Sequence, residues 1–125
     1  MSRGFDLGGR LASFAHAGRG LVVLLNEPNA RLQGLAALVV VALALWLELG
    51  RSDWALLSLS IALVLASEAA NTALEALADR TAPERHALVG RAKDVSAAGV
   101  LIASLAAVAV GLFVLGPPLW ARLSG

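Results

Sequence analysis

Residues 68–79 read EAANTALEALAD, and four polar side chains, Glu68, Asn71, Glu75 and Asp79, interrupt an otherwise small and apolar stretch. At about 100° per residue on an α-helix they project at roughly 0°, 300°, 340° and 20°, which is a single stripe. The stretch therefore reads as an apolar helix with one acidic seam. A carboxylate facing hydrocarbon costs about 2.5 to 3.5 kcal/mol even on the lenient insertion scale, so Glu68 and Glu75 are expected to face protein, water or a metal. Such a seam can serve only to hydrogen-bond packed helices. Two carboxylates in one apolar helix point further, to chemistry.

The rest of the chain decides what surrounds that helix. Of 125 residues, 58% are hydrophobic, and the mean hydropathy of +0.77 lies well on the side of membrane proteins. Ten Lys and Arg against nine Asp and Glu leave a net charge of +1, which gives no reason to expect a nucleic-acid partner. With no cysteine, a disulfide framework, a thiolate nucleophile and thiolate-ligated zinc or iron–sulfur sites are excluded. His16 and His86 show no metal-ligand spacing. Met1 to Ala30 carries scattered arginines and no isolated apolar core before an A-x-A site, so no cleaved signal peptide is expected.

Read in order, the chain forms one membrane domain over residues 1–125. Residues 1–9 are Gly-rich and are expected to be poorly ordered. Over residues 10–25, Leu11, Phe14, Ala15, Gly18, Leu21, Val22 and Leu25 follow the spacing of one helix face, which predicts an amphipathic helix on the membrane surface. Asn26-Glu27-Pro28-Asn29 breaks it, with Glu27 at the turn into the bilayer. Spans are predicted at 31–48, 54–79 and 95–115, each long enough to cross about 30 Å of hydrocarbon. Gly116-Pro117-Pro118 is expected to stop the third. Gly99, Ala103, Ala107 and Gly111 form a small-residue face that lets another helix approach closely.

Charge sets the orientation. Arg3, Arg10, Arg19 and Arg31 precede the first span, and Arg80, Arg85, Arg91 and Lys93 follow the second; Arg51 and Arg122 stand alone at the other ends. The N-terminus and second loop are thus expected in the cytoplasm of a multi-pass inner-membrane protein, with Trp46, Trp54 and Trp120 at the opposite interface. Glu27, Glu75, Asp79, Lys93 and Asp94 then share the cytoplasmic level, and Glu68 lies about 10 Å deeper than Glu75.

That geometry suits a reaction between a water-soluble anion and a lipid-borne group. Glu27 and Glu75 are hard oxygen ligands suited to Mg²⁺, which commonly accompanies phosphate. Lys93 offers a mobile positive charge to a polyphosphate. Glu68, flanked by apolar residues, is placed to accept a hydroxyl proton. Phosphoryl transfer needs mainly positioning and charge neutralisation, and no P-loop or kinase Gly-rich loop is present.

The pattern E-x-x-N-T-A-x-E-x-x-x-D from Glu68 to Asp79, the G-R-A-K-D of Gly90 to Asp94 and the N-E-x-x-x-R of Asn26 to Arg31 resemble the small prokaryotic diacylglycerol kinase family, which includes the undecaprenol kinases. The resemblance covers residues 10–115 in the same order. It implies an all-α integral membrane homotrimer, each protomer with a surface helix and three spans. It further implies active sites shared between protomers and transfer of the ATP γ-phosphate to the hydroxyl of diacylglycerol, giving phosphatidate. By that resemblance Glu68 is the catalytic base, and Glu27 and Glu75 hold Mg²⁺ and contact ATP. Lys93, Asp94, Glu84, Arg85, His86 and Arg10 contact ATP, while Arg31, Asn71 and Asp79 support the lipid side of the site. Arg85 stands where the family has an aromatic residue. Ala97 and the wording of Ala92 to Leu101 lean toward undecaprenol as acceptor; Asp79-Arg80 and Gly90-Arg91 lean toward diacylglycerol. A reading from a different class is a small ion-conducting subunit using the seam as its pathway.

Overall fold

The computed structural model describes residues 6–82, 84 and 86–125. Four helices follow one another: α1 (Leu7–Asn26), α2 (Pro28–Trp46), α3 (Arg51–Thr81) and α4 (Ala87–Ser124). The last three are each long and apolar enough to cross a membrane, and short connections make them run up, down and up. This is an all-helical, multi-pass membrane protein.

Local chemistry explains the breaks. Glu27 leaves helical geometry at φ −75 and ψ 130, and Pro28, which has no N–H to satisfy, takes the first position of α2. Arg31 braces the corner: its Nε donates to the Leu25 carbonyl at 2.7 Å and its guanidinium reaches Asn26 Oδ1 at 3.5 Å, using acceptors that the end of α1 leaves open. At the far end of α2, Glu48 N–H donates to the Leu45 carbonyl and Leu49 N–H to the Ala44 carbonyl, both at 3.2 Å. This is a Schellman closure, with Glu48 at φ 55 in the position glycine usually takes.

The helices extend beyond the expected spans. Asp6 accepts the Arg10 N–H through its backbone carbonyl, so residues 7–9, expected to be loose, form the first turn of α1. α4 begins at Ala87 rather than 95 because His86 caps it, its Nδ1 accepting the Leu88 N–H at 3.2 Å. Nor do Pro117 and Pro118 stop α4, which continues to Ser124. Gly116 offers no Cβ to clash with the proline ring. Val114 and Leu115 just before the prolines are buried, and Leu119 just after them is half-buried against the same core, so tertiary packing outweighs the local preference.

That core joins Ala44 and Leu47 of the α2 end, Leu57 of α3, and Val114 and Leu115 of α4. Arg122 lies over the Trp46 ring at 5.0 Å, tying the α4 end to the α2 end. The largest interface lies between α3 and α4, with Ala103 of the small-residue face buried in it. α2 touches α4 little, and an apolar groove of about 280 Å³ remains between the three helices, with Gln33 and Leu65 at one end and Val40, Leu57 and Gly111 toward the other. α1 packs lightly, burying only Leu24 and leaving Leu11, Phe14, Leu21 and Val22 exposed.

A β-carbon in left-handed geometry is strained. Glu48→Gly is therefore expected to stabilise the folded protein by up to about 1 kcal/mol, read as a higher midpoint of unfolding in detergent; an unchanged or lower midpoint would contradict the strain.

Candidate active site

The acidic seam of α3 forms a gradient of exposure. Glu68 is 3% exposed and Asn71 8%, Glu75 is half-buried, and Asp79 is open. Burial at the deep end comes from α2, where Gln33 Nε2 donates to Glu68 Oε2 at 3.0 Å. The carboxylate is thus turned into the bundle, with an amide for a partner. At the shallow end, Lys93 of α4 pairs with Asp79 at 2.8 Å. The Asp79 hydrogen bond holds the Lys93 pKa above the ordinary lysine value against desolvation, with the Asp79 and Glu75 charges adding to the rise. α4 is 38 residues, about 57 Å, longer than the bilayer core of about 30 Å.

These two contacts set the register of the three helices. Glu27 lies six residues from Gln33 and Glu75 seven from Glu68, each about 10 Å higher on antiparallel helices. Glu27 and Glu75 therefore reach the same level, both half-buried, and Asp79 with Lys93 stands one turn above. Neither the Glu27 nor the Glu75 carboxylate has a hydrogen-bond or ion-pair partner among the described residues. Among the described residues, no set of three acidic or histidine side chains gathers into a cage for a cation. Mg²⁺ is ordinarily held by one or two carboxylates together with phosphate and water, so this donor set fits it as a phosphate-bound ion rather than a resident one.

The other expected site residues among those described are more exposed. Asp94 and Arg10 are exposed, and Glu84 is exposed in the α3–α4 connection. Arg85 lies outside the described residues. His86 caps α4 and borders a concavity of about 450 Å³; the α3 wall of that hollow, with Leu74, Leu77 and Thr81, projects away from the seam. Arg31 is engaged at the α1–α2 corner, where it steadies the turn carrying Glu27 rather than facing the groove. Gln33 is the residue that sequence reasoning missed. The available signal is an amide near the start of the first predicted span, at the depth of a buried acid on the second.

Together these features define an α-helical membrane enzyme: carboxylates in tiers, a cation at the water-facing rim and an apolar groove below. Comparison with known proteins agrees. Residues 15–115 match the family model described as prokaryotic diacylglycerol kinase. The chain is 44% identical over 84 residues to the diacylglycerol kinase of Escherichia coli K12, covering 67% of this chain and 69% of that one. It is 38% identical over 111 residues to that of Synechocystis, covering 87% and 63%. It is 35% identical over 101 residues to that of Pseudomonas aeruginosa, covering 80% and 73%. The chain belongs to the prokaryotic diacylglycerol kinase family and is a membrane lipid kinase.

Replacing Asp79 by Ala removes the acceptor and the nearest negative charge from Lys93. The lysine pKa is expected to fall toward or below its ordinary value, followed by NMR titration of its labelled side chain; an unmoved titration would show that the pair does not persist in solution.

Proposed function

We propose that the protein transfers the γ-phosphate of ATP to the hydroxyl of diacylglycerol, forming phosphatidate and ADP. The observation that carries this reading is the buried Glu68, bonded to the Gln33 that lines the end of an apolar groove and about 10 Å beneath the tier of Glu27 and Glu75. A nucleotide held at the rim and a lipid held in the membrane can meet only across such a step. The relatives described above are named diacylglycerol kinases, which favours diacylglycerol over a polyprenol and a kinase over an ion pathway.

In this reading the lipid chain lies along the groove and its hydroxyl approaches the free oxygen of Glu68. The Glu68 carboxylate takes the hydroxyl proton as the lipid oxygen attacks the γ-phosphorus in line; the bond to the β-phosphate oxygen breaks, and ADP leaves. Mg²⁺, when bound with ATP, neutralises phosphate charge, and Glu27 and Glu75 are the residues that would hold it. Lys93, cationic at neutral pH, exchanges its pairing with Asp79 for the phosphates. Asp94 lies beside it, and Glu84, Arg85 and His86 in the adjoining connection, with Arg10 on α1, extend the nucleotide side. Asn71, buried one turn from Glu68, and Asp79 supply the polar lining, and Arg31 holds the Glu27 turn.

The remaining parts of the assembly follow from the same reading. α1, packed lightly and with an exposed apolar face, lies on the membrane surface. Its basic residues and those after α3 set the N-terminus and the nucleotide side in the cytoplasm of an inner-membrane protein. The family resemblance supports a homotrimer whose sites are shared between neighbouring protomers.

Purified protein in mixed micelles with Mg²⁺ and labelled ATP is expected to phosphorylate diacylglycerol. Glu68→Gln should lower kcat by about 10² to 10⁴, the range for a general base, with the oligomer unchanged on size exclusion. Full turnover in that variant would remove the base from the mechanism.

A further inference from the structure

The side chain that meets Glu68 comes from a different helix, and its geometry is specific. Gln33 Nε2 lies 3.0 Å from Glu68 Oε2. Its own Oε1 is buried without a hydrogen-bond partner among the described residues. A packing amide ordinarily satisfies both polar atoms when buried. Gln33 satisfies only the one that touches the acid, so the arrangement favours Glu68 over the amide. The reverse orientation of the amide would set oxygen against carboxylate oxygen, which fixes nitrogen toward Glu68.

We propose that Gln33 is the positioning residue of the transfer reaction: by occupying Glu68 Oε2 it holds the carboxylate in one rotamer and leaves the other oxygen as the single acceptor for the lipid hydroxyl. The inference rests on the assignment of Glu68 as the base. An unheld glutamate has three side-chain torsions and would sample geometries unsuited to proton transfer, which needs heavy-atom distances of about 2.6 to 3.2 Å. Supporting hydrogen bonds hold a functional group near its productive geometry. The same residue lines the end of the apolar groove, so Gln33 borders both the lipid path and the base. Its effect is exerted through Glu68, and therefore on turnover rather than on nucleotide binding.

The test compares Gln33→Met and Gln33→Asn in the mixed-micelle assay. Methionine keeps the length and removes both polar atoms. Asparagine keeps the amide and draws it back by one methylene. Both are expected to lower kcat about tenfold, the loss of one hydrogen bond to a charged group, with KM for ATP within twofold. In the Glu68→Gln background, adding Gln33→Met should change the residual turnover by less than twofold, because the carboxylate it positions is gone. Undiminished kcat per folded protein in Gln33→Met, with Glu68→Gln inactive, overturns the positioning role and leaves the base. Full turnover in Glu68→Gln removes the base itself. A tenfold loss that persists in the double variant, or a rise in KM for ATP matching the loss, assigns Gln33 to structure alone. Should Gln33→Met fail to accumulate in the membrane, Gln33→Asn carries the same comparison.

Discussion

A buried carboxylate in a bundle solvated by lipid must have a partner, and the whole arrangement of this protein follows from where Glu68 finds one. Unpaired, it would carry the desolvation penalty of a charge in a low-dielectric setting. Gln33 meets it from α2. That one contact closes the α2–α3 seam at its polar end, while Ala44, Leu47 and Leu57 close it at the other. Between the two closures the helices are held apart enough to leave the apolar groove. The acid therefore does more than wait for a substrate; satisfying it sets the register that brings Glu27 level with Glu75.

A second polar contact does the same for α4. Asp79 and Lys93 pair at the rim, where water keeps the interaction weak in energy but the direction unambiguous. α3 is thus pinned to α2 by a buried polar contact and to α4 by one at the rim, with hydrophobic packing at the opposite end. The consequence is a tiered site: a cation and a carboxylate outermost, two partly buried carboxylates next, and an acid, two amides and an apolar groove deepest. Exposure falls along the seam in step with polarity. A water-soluble phosphate donor and a lipid alcohol each find the environment they need within about 10 Å of one another.

Several residues have structural duties that shape the site. His86 starts α4 and so carries Lys93 and Asp94 on an ordered helix rather than in a loop. Arg31 ties the end of α1 to the start of α2 and fixes the turn at which Glu27 stands. The prolines at 117 and 118 sit inside α4 because the residues on either side of them are needed in the far core. Here packing outweighs a strong local signal, since the loss of backbone hydrogen bonds near a helix end is smaller than the gain from burying its side chains.

Membership in an all-helical membrane class, the number of long apolar segments, the break at Glu27-Pro28 and the single stripe of Glu68, Asn71, Glu75 and Asp79 could all be read from the sequence. These depend on composition and on the 3.6-residue period, which are properties of neighbouring residues along one chain. The family motifs were legible for the same reason, being short and carried on single helices. Helix ends were less so: capping by the His86 ring and the persistence of α4 past Pro118 depend on partners that local spacing does not reveal. What only the tertiary structure decided was which residue answers Glu68. The partner lies 35 positions away on another helix, and although Gln33 is the one amide in residues 31–48, local spacing does not say what it faces. Pairing across helices is a matter of register, and register emerges only when two sides of a bundle are packed at once.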